Sequence, residues 1–315
     1  MKPLNVLSLF DGISCGRLAL QRAGIPVNQY LASEIDKHAI KVTQTNFPDT
    51  VQLGSVVDVK AEILPKIDLL IGGSPCQSFS IAGNKEGFDG KSGLFFEWLR
   101  LLKETQPKHF LLENVLMKRE WQDKITELVG VEPRMISSAY FSAQARERLY
   151  WTNITYEQFL PQNNIFLSDI LEENVDSKFF LKNSYKLKSL KNQEARIKIL
   201  ETNYRLNHKV GKQNPVLVSE VVGDTPSGRS RQTDRLYSSL SKCPTLLANR
   251  ACDLKIDCGS TDISKWRTLT PIEAERLQTV PDNYTSCIPD SKRYHVLGNG
   301  WTVDVIAHIL KNIKE

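Results

Sequence analysis

Residues Val6–Gly24 read VLSLFDGISCGRLALQRAG, and this stretch decides the fold class of the chain. The apolar run Val6–Phe10 predicts a buried strand, and a turn that contains glycine follows it directly. From Cys15 to Ala23 the apolar residues recur with a helical period, and Gly24 stands where a glycine commonly ends a helix. A buried strand, a turn and a helix in this order are the unit of an α/β fold.

The same alternation continues to about residue 154. Further strands are predicted at Tyr30–Glu34, Asp68–Gly72, Phe110–Glu113 and Leu149–Asn153, the last of them near the far edge of the sheet. We therefore predict a mostly parallel, twisted sheet with helices on both faces.

The pattern changes between residues 155 and 266, where polar and basic residues dominate and strands are unclear. Regular structure returns at Thr270-Pro-Ile-Glu273, a capping box with proline at the first helical position, and Val303–Ile313 predicts a closing helix. We predict one domain formed by residues 1–154 and 267–315, with a smaller domain of residues 155–266 inserted into it.

Composition limits the class of protein. The 315 residues have ordinary apolar and charged fractions, and no run of about 18 apolar residues suggests a transmembrane helix. The start of the chain enters a strand pattern without the features of a signal peptide, so we expect an intracellular protein. Six cysteines are scattered without a CxxC pair, which favours neither a zinc site nor a disulfide framework, and we expect no metal.

Positive charge is concentrated in one part of the chain. Between Lys178 and Arg250 there are fifteen Lys and Arg residues against five Asp and Glu, although the whole chain has a formal charge of only +5. Such a block indicates either a polyanionic partner or a solvated, lysine-rich face, and charge alone favours neither.

The glycine turn after the first strand indicates a nucleoside-containing cofactor. Phe10, Asp11, Gly12 and Gly16 bring backbone close to a ligand, and Glu34 follows the second strand, where a carboxylate can accept hydrogen bonds from ribose. Nicotinamide enzymes use the same geometry. The spacing FxGxxxG differs from the dinucleotide pattern GxGxxG, which favours S-adenosylmethionine.

A thiol stands where chemistry is expected in this fold. The stretch GGSPCQSFS, residues 72–80, directly follows a predicted strand, so Cys76 lies at the edge where open α/β sheets bind ligands. Pro75 restricts the backbone before the thiol, and the next strand ends at Glu113. A buried structural cysteine is the alternative interpretation.

Two arginines precede the predicted strand at Leu149. Arg146 and Arg148 are two residues apart on an extended segment and therefore share a face, where they would grip a phosphate or a base edge. The alternative is a pair of surface salt-bridge residues.

These groups together suit one reaction. Carbon 5 of cytosine is a poor nucleophile, but a thiolate that adds to carbon 6 makes it enamine-like and able to take a methyl group from a sulfonium donor. Glu113 would stabilise charge at ring nitrogen 3, and Arg148 would hold the exocyclic oxygen.

Over nearly its whole length the chain resembles the DNA (cytosine-5) methyltransferases. The matching segments occur in the family's order and are FDGISCG, ASEID, GGSPCQSFS, GLFFE, ENV, QARERLYW, RTLTPIEAERLQ and LGNGWTV. LGNGW and SEID look closer to the vertebrate de novo methyltransferases, whereas LSDILEE at 167–173 looks like bacterial members. The resemblance implies a Rossmann-like S-adenosylmethionine-dependent methyltransferase fold.

The resemblance also implies roles for individual residues. Cys76 would be the nucleophile, Glu113 would contact the cytosine ring, and Arg146 and Arg148 would assist at the flipped base. The residues expected to bind the cofactor are Phe10, Asp11, Gly12, Ile13, Gly16, Glu34, Ile35, Ser55, Val56, Pro75, Leu94, Asn299 and Trp301.

The chain departs from the family pattern at two places. Gly54-Ser55 stands where the family has Gly-Asp, so either Ser55 or Asp58 would meet the adenine amino group. Gly298-Asn-Gly-Trp-Thr302 stands where the family has GNSVP, so the side chains offered to the cofactor there differ from the family's.

The resemblance assigns target recognition in duplex DNA to residues 155–266. Candidates for DNA contact are Gln77, Ser78, Arg229, Arg231 and Arg235, since arginine suits guanine edges. We expect a stand-alone, cytoplasmic enzyme of a prokaryote or of a phage-infected cell, with a possible cognate restriction endonuclease as a separate protein and no obligate protein partner. The alternatives are a tRNA methyltransferase, a non-catalytic DNA-binding relative and a nicotinamide oxidoreductase.

Overall fold

The computed structural model describes residues 1–75, 91–157, 163–181, 217–220, 235–248, 253–260 and 263–313. The chain folds as two compact units. The first unit comprises residues 1–137, 147–160 and 300–315, and the second comprises residues 138–146 and 161–299. The sequence-based boundaries at 154 and 267 divide a catalytic domain from a target-recognition domain. That division by function stays a prediction.

Both units contain strands and helices. The described strands are β1 Leu4–Leu9, β2 Val27–Ser33, β3 Val51–Gln52, β4 Leu69–Gly72, β5 His109–Val115, β6 Arg134–Ser137, β7 Gln144–Ala145, β8 Glu147–Thr152, β9 Leu217–Glu220, β10 Arg235–Tyr237, β11 Cys243–Pro244, β12 Lys255–Ile256 and β13 Arg267–Thr268. The described helices are α1 Cys15–Arg22, α2 Lys37–Asn46, α3 Phe95–Thr105, α4 Arg119–Val129, α5 Pro271–Leu277, α6 Asp290–Asn299 and α7 Val303–Leu310.

Seven of the described strands form the sheet of the first unit, in the order β3-β2-β1-β4-β5-β8-β6. Neighbours from β3 to β5 run parallel, and β8 is antiparallel to both β5 and β6. The fold is therefore α/β with a mainly parallel central sheet, as predicted. The strand near Leu149 is next to the edge, and β6 forms the edge itself.

Local sequence signals account for where the helices begin and end. Asp36 caps α2 because its side chain accepts hydrogen bonds from the N–H groups of His38 and Ala39. Gly24 follows α1 with φ +70°, as the sequence predicts. At α5 the Thr270 side chain accepts from the Glu273 N–H, and Glu273 accepts in return from the Thr270 N–H, which confirms the predicted capping box.

The core of the first unit lies against the sheet. Trp98 of α3 and Trp151 of β8 are fully buried, together with Leu7, Leu70 and Leu112 of the central strands. Each large apolar side chain that is fully buried contributes about 1.5–3 kcal/mol to folding. This packing fixes the sheet whose carboxyl edge carries the candidate site.

The second unit is held partly by a buried lysine. The Nζ of Lys242 donates to three backbone carbonyls, those of Ser142 at 2.9 Å, Asn163 at 3.1 Å and Ile165 at 2.6 Å. Burial lowers the pKa of Lys242 to about 8. Lys242 is therefore an internal cross-link between segments and does not contribute to a surface that could meet a phosphate backbone, although it was counted in the basic block.

Within the part of the chain that the structure describes, no helix is long and apolar enough to cross a membrane.

Candidate active site

The register of the sheet brings the predicted site segments to one edge. Leu9 of β1 pairs with Ser33 of β2 and with Gly72 of β4, and Gly72 in turn pairs with Leu112 of β5. The segments that follow these parallel strands therefore leave the sheet at the same edge. Ligands bind beyond this edge in open α/β sheets, near the point where the strand order reverses.

The turn after β1 has an unusual backbone. Phe10, Gly12 and Ser14 all adopt a left-handed conformation, with φ of 57°, 60° and 58°. Residues other than glycine rarely adopt this conformation, and strained positions of this kind concentrate at ligand sites. The turn then leads directly into α1, whose first N–H groups lack helical partners and can meet an electronegative group.

Asp11 lies at the centre of this turn and is bound by hydroxyl groups. Its Oδ1 accepts from Ser8 at 2.6 Å and from Tyr30 at 2.8 Å, and its Oδ2 accepts from Ser14 at 2.5 Å. Burial raises the pKa of Asp11 to about 6, and the charge of Glu34 raises it further, whereas the three hydroxyl groups oppose the shift.

Glu34 ties the turn to the end of β2. Its Oε2 accepts from the Gly12 N–H at 2.8 Å, and its Oε1 accepts from the N–H groups of Ile35 at 2.7 Å and Asp36 at 2.9 Å. A carboxylate has about four acceptor positions, so one remains for a ribose hydroxyl. Ile35 beside it is 76% exposed, which suits an apolar contact with a purine ring. These residues fit a nucleoside.

The other predicted cofactor residues differ in how exposed they are. Ile13 and Val56 have buried side chains in the core, so only their backbone atoms can reach a ligand. Ser55 and Leu94 are partly exposed, while Asp58, the alternative to Ser55, is exposed. At Gly16 a Cβ atom would lie 2.3 Å from Ile71 Cδ1, so a side chain there would displace the core.

Glu113 lies near the end of β5, and both of its carboxylate oxygens have partners. Oε1 is 2.9 Å from Arg148 Nε. The two groups form an ion pair, but the Nε–H does not point at the oxygen, so the contact is not a hydrogen bond. Oε2 accepts a hydrogen bond of 3.1 Å from the indole Nε1 of Trp301. The carboxylate also packs against Gly73, where a Cβ atom would lie 2.8 Å from Oε2.

The side chain of Asn114, the residue after Glu113, fixes the segment that follows β4. The side-chain amide of Asn114 donates to the Ser74 hydroxyl at 3.1 Å and lies 3.4 Å from the Ser74 carbonyl oxygen. Both residues are buried. Pro75, the last described residue of the segment, therefore follows a restrained position. Cys76, Gln77 and Ser78 lie outside the described residues.

The predicted arginine pair is divided between the units. In the second unit the buried Arg146 guanidinium lies 3.3 Å from the carbonyl oxygens of both Leu246 and Gly298. In the first unit Arg148 has Glu113 and the Glu147 carbonyl as partners. The two arginines have separate partners. That they bind one phosphate or base edge together stays a prediction.

The remaining predicted residues belong to the second unit. Asn299 is the last residue of α6, and its amide lies 3.4 Å from Nε2 of His295. Arg235 begins β10 and forms a hydrogen bond with Tyr237. Arg229 and Arg231 lie outside the described residues.

Two of the described cysteines are unsuited to nucleophilic chemistry. Burial raises the pKa of the Cys258 thiol to about 11, and it raises that of Cys243 further. In the ranges that the structure describes, no group of three His, Cys, Asp or Glu residues could hold a metal ion.

Sequence reasoning missed the residues that orient the site. Ser8 and Ser14 stand three residues before and after Asp11, a spacing at which short hydroxyl side chains reach a carboxylate, so this signal was present. Tyr30 and Asn114 gave no local signal, because their partners lie 19 and 40 residues away.

Comparisons with known proteins identify the family of the chain. Residues 4–315 match the family model described as C-5 cytosine-specific DNA methylase. The orphan methyltransferase M.SPRI of Bacillus phage SPR is 33% identical over 81% of this chain and 66% of its own length. The type II methyltransferase M1.ScrFI of Lactococcus lactis subsp. cremoris is 29% identical over 99% of this chain and 78% of its own length.

A solved structure has the same fold. The Entamoeba histolytica methyltransferase EhMeth superposes with a TM-score of 0.70 at 18% identity, covering 99% of this chain and 98% of its own. The present chain spans only about two thirds of the length of the phage relative. The family model, however, covers nearly all of the present chain. The chain therefore belongs to the C-5 cytosine-specific DNA methylase family.

Proposed function

We propose that this chain transfers a methyl group from S-adenosylmethionine to carbon 5 of a flipped-out cytosine in duplex DNA, through a covalent adduct with Cys76. The observation that carries the proposal is the placement of Glu113. Its buried carboxylate packs against Gly73, three residues before Cys76, and Asn114 beside it holds Ser74. Cys76 directly follows this segment in the sequence, and a carboxylate together with a thiol are the two groups that activate a cytosine ring.

The roles follow from the chemistry of the ring. The Cys76 thiolate adds to carbon 6, so that a carbon–sulfur bond forms and carbon 5 gains electron density. Glu113 holds a proton at ring nitrogen 3, where negative charge develops. Carbon 5 then takes the methyl group, and the methyl–sulfur bond of the donor breaks so that the sulfonium becomes a neutral thioether. A base removes the proton at carbon 5, and the electron pair of that carbon–hydrogen bond restores the ring double bond and expels the thiolate. Arg148 keeps Glu113 oriented from the opposite oxygen.

The turn after β1 and the end of β2 would hold the cofactor. Glu34 has one acceptor position free for a ribose hydroxyl, and Ile35 offers an exposed apolar surface. When bound, S-adenosylmethionine supplies an electrophilic methyl group on a sulfonium centre. Phe10, Gly12 and Ser14 shape the turn, and Ser55 or Asp58 would meet the adenine amino group.

Duplex DNA is the proposed substrate, and residues 155–266 are the proposed target-recognition domain. A cytosine within a duplex hides carbon 6, so the base must leave the stack. We propose that the enzyme works in the cytoplasm of a prokaryotic or phage-infected cell, and its relatives from a Bacillus phage and from Lactococcus lactis support this proposal. One relative is named a type II methyltransferase, and this name supports a separate cognate endonuclease as a partner. Another relative is named an orphan methyltransferase.

Replacing the nucleophile tests the proposal. We expect Cys76→Ala to abolish methylation, because no thiolate can add to carbon 6, while binding of S-adenosylmethionine changes little. Bisulfite sequencing of DNA from cells that express each variant measures activity and target together. Cys287→Ala, a cysteine outside the proposed site, is the matched control and should keep full activity.

Two further measurements define the outcome. Duplex DNA with 5-fluorocytosine at the target should trap the wild-type protein covalently at Cys76 when the methyl donor is present, since the fluorine cannot leave as a proton does. Equal methylation by Cys76→Ala would overturn the mechanism. Transfer of methyl groups to tRNA in place of duplex DNA would overturn the proposed substrate.

A further inference from the structure

The indole of Trp301, which the family resemblance assigns to the cofactor pocket, also lies beside Glu113. Its Nε1 donates to Oε2 of Glu113 at 3.1 Å, while Arg148 holds Oε1 at 2.9 Å. An indole N–H can only donate, so it restrains the direction of the carboxylate. The two oxygens of Glu113 are thus held from two sides.

The body of the indole lies between the two glycine-containing turns of the sheet edge. A Cβ atom on Gly73, after β4, would lie 3.1 Å from Nε1, and one on Gly16, in the first turn of α1, would lie 3.4 Å from Cζ3. A side chain at Gly73 would crowd the ring, whereas the distance at Gly16 is an ordinary van der Waals contact with it. The indole therefore bridges the turn of the proposed cofactor pocket and the segment that leads to the thiol.

The backbone of Trp301 is itself fixed. Helix α7 begins two residues later at Val303 and packs against α1. Arg22 of α1 and Asp304 of α7 form an ion pair of 2.6 Å across this contact. Since the indole is planar and its backbone is anchored, its N–H is a pre-oriented donor and needs little ordering when substrate binds.

We infer that Trp301 is a positioning residue, which holds the Glu113 carboxylate in the orientation that the cytosine ring requires. The inference rests on the proposed function of Glu113. It predicts a specific kinetic signature: loss of the N–H should lower kcat, because Glu113 is misdirected during reaction, and should leave the KM for S-adenosylmethionine nearly unchanged. A residue that only binds the cofactor would raise that KM.

Trp301→Phe tests this, because phenylalanine keeps an aromatic ring and removes the donor. We expect kcat to fall about tenfold or more, the usual effect of losing a hydrogen bond to a charged group. The KM for S-adenosylmethionine, and its affinity by calorimetry, should change by less than about threefold, well below the tenfold that 1.4 kcal/mol represents. Trp121→Phe in α4, outside the site, is the matched control for the same chemical change.

A double-mutant cycle separates the role from simple damage to the fold. If Trp301 acts through Glu113, adding Trp301→Phe to Glu113→Gln should cost little beyond Glu113→Gln alone. Multiplicative losses in the double variant, or a large rise in the KM for S-adenosylmethionine at unchanged kcat, would overturn the inference. Methylation by Cys76→Ala would instead overturn the proposed function, so the two failures are distinguishable.

Discussion

At the scale of single residues, Asp11 has the most unusual electrostatic environment in the turn after β1. Its carboxylate accepts from three hydroxyl groups, yet burial and the charge of Glu34 raise its pKa to about 6. A hydroxyl can rotate and accept as well as donate, so the same cluster can solvate either the ionised or the protonated acid. Asp11 can therefore stay at this position in both forms, at a cost to stability when it is charged.

This cost should be visible in the pH dependence of unfolding. Between pH 4 and 6 the folded chain binds the Asp11 proton more tightly than the unfolded chain, where the pKa is 3.8, so stability falls as pH rises through this window. The loss should be about 1–3 kcal/mol, given about 1.4 kcal/mol for each pH unit of difference. Asp11→Asn has no such titration and should lack this fall.

Urea unfolding at pH 4.5 and 7.5 checks the prediction, since the remaining acidic groups titrate alike in both proteins and cancel in the difference. Asp123→Asn on the exposed surface of α4 is the control and should follow the wild type. An Asp11→Asn protein whose stability differs from wild type by the same amount at both pH values would show that Asp11 does not titrate in this range.

At the scale of elements, α5 begins in a buried network of charges within the second unit. Glu273 is fully buried, and its two oxygens meet both terminal nitrogens of Arg267, at 2.5 and 2.7 Å. The same oxygens accept from the N–H groups of Thr270 at 2.9 Å and Glu172 at 2.8 Å. One carboxylate therefore caps the helix, neutralises an arginine and fixes a distant segment.

Removing one member of this pair should be more harmful than removing both. Glu273→Gln leaves the Arg267 charge buried without its counterion and should lower the free energy of unfolding by about 3–5 kcal/mol. The double variant Arg267→Met with Glu273→Gln should recover part of that loss, because no buried charge remains.

Chemical denaturation of the single and double variants measures these losses. Asp282→Asn, which breaks the exposed ion pair of Arg276 on the same helix, is the control and should cost no more than about 1 kcal/mol. A double variant no more stable than Glu273→Gln alone would contradict the account.

The elements also show why sequence predicts some features and misses others. The buried strands β1, β4 and β5 and the capping box of α5 were predicted because each has a local signal, an apolar run or a cap, within a few residues. Strands β10 to β13 have two or three residues, too few for alternation to show. The bond of Trp301 to Glu113 joins residues 188 positions apart, so no local pattern reveals it.

At the scale of the whole molecule, part of the positive charge counted in the sequence already has partners within the chain, among the residues that the structure describes. Of the fifteen basic residues between 178 and 250, Lys242 is fully buried, Lys178 pairs with Asp290, and Arg235 is bonded to Tyr237. The family prediction is confirmed by the match over residues 4–315, but family membership does not say which arginines read bases. Contacts to phosphates set the salt dependence of DNA affinity, whereas contacts to bases set the preference for one DNA sequence. The two kinds of contact can therefore be told apart by experiment.

Arg229 and Arg231 are the strongest sequence candidates for base contacts, since they stand in the run Ser-Gly-Arg-Ser-Arg. If they read guanine edges, Arg229→Gln with Arg231→Gln should lower the preference for the target sequence over random duplex tenfold or more, because each such contact provides about 1–3 kcal/mol of discrimination. Fluorescence anisotropy at several salt concentrations should then give a nearly unchanged slope of log affinity against log salt.

Arg119→Gln with Lys124→Gln on α4 removes the same charge elsewhere and should leave the preference intact. A slope reduced by about two with the preference retained would instead assign both arginines to the phosphate backbone, because each phosphate contact contributes about 0.9 to the slope.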